Sequence, residues 1–374
     1  MKEKKARKNM KSLCKSNRSG FTLVELLVGS TILLIVVLAT LSLYRTSNQI
    51  AVDQQQFAEL QHGVRSGMYL LSRDSRMAGV GLPIEFYGYA LEGLDNENQG
   101  AVVDPDRLKV LGNFDEPLNL SISNYQGSAA NLAVVDFSLE LYQYPDEFYE
   151  NKTVLVLPNP ESGCLVGEVR TITHVTHDAT GQNEKLNFSP GLSPGVNPPG
   201  GLSGTCPSSN DYDGGMVTFV NVNEYWLDVT GNYPGLTAGT DGYIGNGEAN
   251  VLYLTMNGLH YPLASNVENL QFAYNGDLDE DGLLDGFIEW QPAWTGDITM
   301  VRRIRQVRMW VLGRTENPFV SVGANPPANI HLYRRPTIAN SPGAANDDKH
   351  KRFLLESTSN IRNLSLNIYN TGTR

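Results

Sequence analysis

From Phe21 to Tyr44 the chain reads FTLVELLVGSTILLIVVLATLSLY, 24 residues with one charge, Glu25, and no proline. Coiled as a helix, this run is about 36 Å long, enough to cross the hydrocarbon core of a bilayer. Beyond it the apolar positions thin into a stripe. Ile50, Phe57, Leu60, Val64, Met68 and Leu71 recur at intervals of seven, three, four, four and three, with Gln, Arg, Asp and Ser between them. That spacing places them on one face of a continuing helix. Gly79, Gly81 and Pro83 then stop it. The pattern predicts one helix of about sixty residues, a membrane-type half over 21–44 and an amphipathic half over 45–82.

After Pro83 the period shortens to two. LAVVDF (132–137), KTVLVL (152–157), MVTFV (216–220), VLYL (251–254) and VRMWV (307–311) are separated by clusters of Gly, Pro, Asn and Asp. Such runs read as antiparallel strands joined by long loops. The expected class is α+β: a long N-terminal helix packed on one β-rich globular domain, 83–374, with no boundary inside it. The 36 Gly and 19 Pro agree with a loop-rich body and argue against a helical bundle. Ser189–Ser209 is too rich in both for regular structure.

Charge sharpens the N-terminal reading. Residues 1–20 carry eight basic side chains and one acid, so their removal leaves 21 basic and 39 acidic residues, a net charge near -18. A body this acidic repels phosphate backbones, and nucleic acid is not an expected partner. The basic cluster holds the leader on the cytoplasmic side of a membrane. A secretory signal would place its small cleavage residue after a shorter apolar run. Here Gly20 comes before the run and Glu25 lies within it. A carboxylate inside a membrane helix costs about 2.5–3.5 kcal/mol and calls for a partner. Cleavage between Gly20 and Phe21 would free an α-amino group that one copy could offer to Glu25 of the next, making Glu25 an assembly contact.

The order of basic leader, Ser19-Gly20-Phe21-Thr22-Leu23-Val24-Glu25-Leu26 and spanning run resembles the type III signal of type IV pilins and type II secretion pseudopilins. The resemblance implies cleavage after Gly20, methylation of the Phe21 amine and Glu25 as the fifth mature residue. Many major pilins carry a proline near the end of this segment, where this chain has Ser42. Arg73-Asp74-Ser75-Arg76-Met77-Ala78-Gly79 is similar to the same position in PilW-type minor pilins. So are, in order, NVENLQFAY (266–274), IRQVRMWVL (304–312), and Arg352-Phe353 with Ile361-Arg362-Asn363-Leu364. The likeness spans the first 80 residues and, more loosely, 265–365, leaving 84–264 unmatched.

That resemblance implies a pilin-like architecture and a non-enzymatic minor type IV pilin that primes or caps pilus assembly. Its partners would be other minor and major pilins, the prepilin peptidase and the inner-membrane assembly platform. It would first span the inner membrane with a periplasmic body and later stand in a pilus at the cell surface. A type II secretion pseudopilin shares the same signal. A membrane-tethered adhesin or DNA-uptake tip protein is a different class, for which Arg302, Arg303, Arg305 and Arg308 are the one basic segment. Strand alternation would split that segment, Arg303 and Arg305 on one face, Arg302 and Arg308 on the other.

Two further sets of residues carry chemistry. Asp277, Asp279, Asp281 and Asp285 stand at positions one, three, five and nine of a loop with Gly282 at six, the first part of an EF-hand-type calcium loop in which the Leu283 carbonyl is the backbone ligand. Position twelve is Ile288, with Glu289 one residue later, so helices are not implied and the last ligand is shifted or comes from elsewhere. The alternative is a solvated acidic turn. Cys14 would leave with the leader, and Cys164 and Cys206 remain, either unrelated thiols or a disulfide formed in an oxidising compartment. Gly191-Leu192-Ser193-Pro194-Gly195 has the letters of a nucleophile elbow but not its strand and helix. His174 and His177 stand three apart on a segment read as strand or turn, a spacing that does not point to a metal site, and no catalytic constellation is apparent.

Overall fold

The computed structural model describes residues 20–96, 105–115, 119–125, 132–135, 145–164, 166–176, 184–188, 197, 206, 209–231, 249–317, 335–344 and 350–365. They fall into two units, one ending at Gln55 and one starting at Gln56. A single helix, α1 (Leu23–Met77), belongs to both. Its 55 residues rise about 83 Å.

In the first unit α1 buries nothing. The most apolar stretch of the helix has a mean hydropathy of 2.6 and no buried residue. Its hydroxyls turn inward on the helix itself: Ser30 and Thr31 donate to the Leu27 carbonyl and Thr40 to that of Val36. Ile50, which the stripe would place on the packed face, is 45% exposed. Packing starts seven residues later, at Phe57, because only from Gln56 onward does the helix belong to the β-rich unit.

Among the described residues the second unit holds fifteen strands. In chain order they are β1 (Leu91–Leu94), β2 (Arg107–Gly112), β3 (Asn119–Tyr125), β4 (Leu132–Val135), β5 (Thr153–Leu157), β6 (Glu168–Thr171), β7 (His174–Thr176) and β8 (Glu184–Asn187). They continue as β9 (Met216–Phe219), β10 (Asn221–Asp228), β11 (Val251–Met256), β12 (Leu259–Ala264), β13 (Val267–Gly276), β14 (Ile304–Arg314) and β15 (Arg352–Asn360). Every pairing among them is antiparallel, in a five-stranded sheet β1-β2-β10-β11-β12, a three-stranded sheet β13-β14-β15 and a seven-stranded sheet β6-β5-β9-β3-β4-β8-β7. The α+β class expected from the pattern is the class observed.

Leu60, Val64, Met68 and Leu71 enter the larger core. Small residues let the helix approach both neighbouring sheets. A Cβ on Gly67 would lie 2.7 Å from Leu252 Cδ2 of β11, and one on Gly313 of β14 would lie 2.5 Å from Leu60 Cδ1. The last turns of α1 are fixed by polar contacts. Asp74, 1% exposed, accepts hydrogen bonds from Asn223 Nδ2 and Tyr225 Oη of β10, each at 2.7 Å, and from Arg73 Nε at 2.8 Å. Burial and the neighbouring Asp74 charge hold the Tyr225 phenol far above its usual range, so it remains a donor. Ser72 and Ser359 of β15 share a hydrogen bond of 2.9 Å, and Asn363 Nδ2 donates to the Ala78 carbonyl.

The segments that carry the PilW-type resemblance, scattered through the sequence, meet here. Arg73–Gly79 closes α1, and 266–274 and 304–312 pair as β13 and β14. Arg352 and Phe353 begin β15, and Ile361 donates its amide to the Arg305 carbonyl. Arg352, 5% exposed at its side chain, forms a two-pronged ion pair with Glu268. Such a fork fixes geometry as well as charge.

The β-rich body lies within one unit but holds more than one hydrophobic core. The seven-stranded sheet has a core of its own, built on Leu120, Ile122, Val154, Val156, Ile172, Val175, Leu186, Val217 and Phe219. Strand β5 joins it to the main core. Strand side chains alternate between faces, and all five residues of β5 are buried. Leu155 and Leu157 enter the main core, while Val154 and Val156 enter the second. A strand apolar on both faces gives a continuous run, here VLVL, and nothing in such a run says that its faces belong to different cores.

Candidate functional site

Gly20 and Phe21 directly precede the Thr22 cap of α1, with Phe21 84% exposed and open space around the Gly20 Cα. Residues 1–19 lie outside the described residues. Thr22 is the N-cap. Its hydroxyl accepts from the Glu25 amide at 3.3 Å, while Glu25 Oε2 accepts from the Thr22 amide at 3.0 Å and the Thr22 hydroxyl at 2.9 Å. This is a capping box, the pattern T-x-x-E with both side chains bonded to the other residue's backbone. The four letters were present in the sequence, where Glu25 was read only as a membrane charge seeking a partner in another copy. Within one chain Glu25 already starts its own helix, and its second oxygen takes no hydrogen bond among the described residues.

The acidic loop is the tip of a hairpin that leaves β13 and returns at Ile288, which exchanges two backbone hydrogen bonds with Tyr274. Gly282 has φ of +84°, the left-handed turn that glycine makes without strain. Asp277, Asp279 and Asp281 each bring one carboxylate oxygen within 4.8 Å of the others. The Gly282 amide donates to Asp277 and the Leu283 amide to Asp281, so the loop is organised by its own backbone. Asp285 stands outside this group of three, its Oδ2 accepting from the Leu278 amide at 2.6 Å at the neck of the loop. Glu289, the nearest acid to position twelve, belongs to another cluster, with Asp95 and Asp106.

Countercharge also reaches this loop. Arg303 donates to the Leu278 carbonyl at 2.7 Å and forms an ion pair with Glu280, and Arg305 lies close enough for Asp277 to favour its charge against burial. Strand β14 begins only at Ile304, so Arg302 and Arg303 lie in the preceding turn and the expected face-by-face split of the arginines does not hold. Arg308 covers the Phe287 ring at 3.8 Å and approaches Glu356. Arg303, Arg305 and Arg308 are thus engaged in contacts within the body.

Cys164 and Cys206 are joined in a disulfide that closes a loop of sequence separation 42, and both side with the second core. His174 Nδ1 is 2.9 Å from Glu150, a partner 24 residues away. His177 and Gly191–Gly195 lie outside the described residues.

Burial raises the pKa of two carboxyls outside the loop's group of three. Asp106, 2% exposed, is pushed up to about 8 by desolvation, against two backbone amides that favour its charge. Glu289 is pushed up to about 7 by burial and then by the charge of Asp95.

No curated protein matches the chain. Among solved structures, a type IV-like pilin from Thermus thermophilus aligns with 12% identity and a TM-score of 0.20, covering 57% of this chain and 86% of that one. The family described as the prokaryotic N-terminal methylation motif matches residues 15–41. The chain therefore carries that methylation motif across the Gly20–Phe21 junction, the Thr22–Glu25 capping box and the first apolar turns of α1.

Proposed function

We propose that the chain is a minor type IV pilin of PilW type, a structural subunit that primes or caps a filament after prepilin peptidase cuts between Gly20 and Phe21. The carrying observation is the methylation motif on a helix whose apolar half is wholly exposed and whose other half is the spine of a β-rich body. An uncovered apolar helix of this length needs either lipid or other helices. The subunit first sits in the inner membrane with its body in the periplasm, and then joins major and minor pilins through the helix. Glu25 pairs with the freed amine of a neighbouring Phe21, exchanging its cap on Thr22 for a charge pair. Supporting this reading, the later resembling segments build the β13–β14–β15 sheet, and β15 meets the last turns of α1 through the Ser72–Ser359 hydrogen bond.

Mass spectrometry of the N-terminus tests the central step. A chain beginning at N-methylated Phe21 is expected, and an intact leader or a cut elsewhere refutes the proposal. Glu25→Gln should be cut normally yet enter filaments poorly.

The acidic loop is proposed to bind calcium through Asp277, Asp279, Asp281 and the Leu283 carbonyl, at extracellular-type affinities of about 10⁻⁴–10⁻³ M. Leu283 and Leu284, 68% and 51% exposed, give a local readout. Millimolar calcium should slow proteolysis at these leucines, and Asp279→Ala should remove the protection. Unchanged cleavage in the parent chain would refute the site.

A further inference from the structure

The edge of a sheet carries backbone amides and carbonyls without a strand to pair with, and proteins blunt such edges. Most edges here are blunted. Strands β1, β6 and β7 run for only three or four residues. Strand β12 contains Pro262, and its pairing with β11 is bulged. The outer edge of β13 is covered: Leu270 accepts from the Asp106 amide, and the Val267 and Phe272 amides donate to the Asn250 carbonyl and the Asp106 carboxylate.

Strand β15 has none of these devices. It is nine residues long, lies on β14 in unbroken register, and contains neither proline nor lysine. The Ile361 amide donates to Arg305 and the Thr315 amide to Lys351, which fixes the odd-numbered residues as the hydrogen-bonded pairs of this ladder. Leu354, Glu356, Thr358 and Asn360 therefore turn their amides and carbonyls away from β14. Among the described residues those groups take no hydrogen bond.

A groove of about 530 Å³ runs between this edge and α1. Leu355, Glu356 and Ser357 all border it. Consecutive side chains point to opposite faces, so the strand meets the groove with its edge. The helix supplies Arg65, Tyr69, Arg73 and Arg76, spaced four, four and three, which is one exposed stripe. Arg362 is the fourth arginine of the groove, and Glu356, drawn 3.6 Å from Arg308, is the one acid among its described residues. Arg76 and Arg362 pair with no acid among the described residues. Four cations gather here on a chain of 40 acidic and 29 basic residues.

We propose that this groove takes an extended acidic segment of another protein, added to β15 as a fourth strand of the β13–β14–β15 sheet. The backbone of the segment would pair with Leu354, Glu356, Thr358 and Asn360, the mode by which exposed edges bind peptides. Its side chains on one face recur about every 6.8 Å, close to the roughly 6 Å between helix positions four apart. Acids at alternate positions would thus meet Arg65, Arg73 and Arg76, with Tyr69, 69% exposed, between them. A segment with bases at those positions would be repelled.

The probe is a synthetic heptapeptide alternating aspartate and valine, added to the full chain in detergent micelles. Its binding is followed by fluorescence anisotropy and by amide hydrogen exchange along β15. At about ten times the dissociation constant, exchange at Leu354, Glu356 and Thr358 is expected to slow about tenfold. The same peptide N-methylated at alternate amides keeps its charge but cannot pair with the edge, and should give no protection. Arg76→Glu with Arg362→Glu should weaken binding about tenfold. Thr358→Pro removes one outward amide and leaves the β14 ladder intact, and should abolish binding with little change in melting temperature. No protection at these amides, equal protection by the N-methylated peptide, or equal protection by a lysine–valine peptide would overturn the proposal.

Discussion

Replacing Asp74 by alanine removes the group on which the end of α1 is hung. Three donors converge on this carboxylate, and both it and its partners on β10 are buried. Hydrogen bonds to a charged group contribute about 1.5–3 kcal/mol each, and a buried donor left without an acceptor costs about 1–3 kcal/mol. Alanine strands Asn223 Nδ2 and the Tyr225 hydroxyl, while the exposed Arg73 guanidinium recovers water at little cost. The expected loss is about 3–5 kcal/mol, matching the usual cost of removing one partner from a buried charged network. In a body of this size that is a fall in melting temperature of about 10 °C. Thermal unfolding of the full chain in detergent, followed by near-ultraviolet circular dichroism, measures it. Tyr225→Phe should cost less, and the two changes together should cost about 1–3 kcal/mol less than their sum, since each removes the same bond. Additive effects, or an Asp74→Ala variant melting within 2 °C of the parent, would show that the contact does not stabilise the fold.

Other expectations follow from the packing. Gly313→Ala would drive a methyl group into Leu60 and Val64, and should cost about 1–3 kcal/mol of overpacking in a denaturant titration. Leu71→Ala, at a fully buried position in the main core, should cost about 2–5 kcal/mol by the same measurement. Replacing Cys164 and Cys206 together by serine should cost about 4 kcal/mol for a loop of sequence separation 42 in the chain-entropy treatment. Hydrogen exchange should show that loss first in β5, β6 and β9, leaving β13–β15 protected. Thr22→Ala should unwind the first turn of α1 at a cost of about 0.5–2 kcal/mol, visible as faster amide exchange at Leu23–Glu25.

Much of the fold was legible because it rests on local pattern. The stripe from Phe57 to Leu71 packs as its spacing implies, and each apolar run after Pro83 falls on a strand. The sites were less legible, for reasons that differ. Glu25 was visible as a charge in an apolar run, but a costly charge in a membrane segment and a helix cap have the same letters. Asp74 meets Asn223 and Tyr225 from about 150 positions away, a pairing no window along the chain contains. The aspartates of the 277–285 loop announced themselves by their crowding. Asp95, Asp106 and Glu289 did not, because their proximity is made by the β1–β2 register and by the Tyr274–Ile288 bridge, which exist only once the strands have paired. The second core escaped notice for a related reason, since VLVL says buried but not buried in what.

The first unit of α1 has a thermodynamic corollary. In a bilayer its leucines, isoleucines and valines already lie among hydrocarbon chains as apolar as any partner helix. Moving from lipid into a helical bundle therefore removes almost no further apolar surface from water, and the exchange is close to neutral for them. Ser30, Thr31 and Thr40 do not tip the balance either, since their hydroxyls are spent on carbonyls one turn back. What distinguishes the two destinations is close steric fit and the one carboxylate at the helix start. On the proposed function, a subunit poised this way would be drawn out of the membrane and returned to it at small cost in either direction, with the decision left to a single turn of helix.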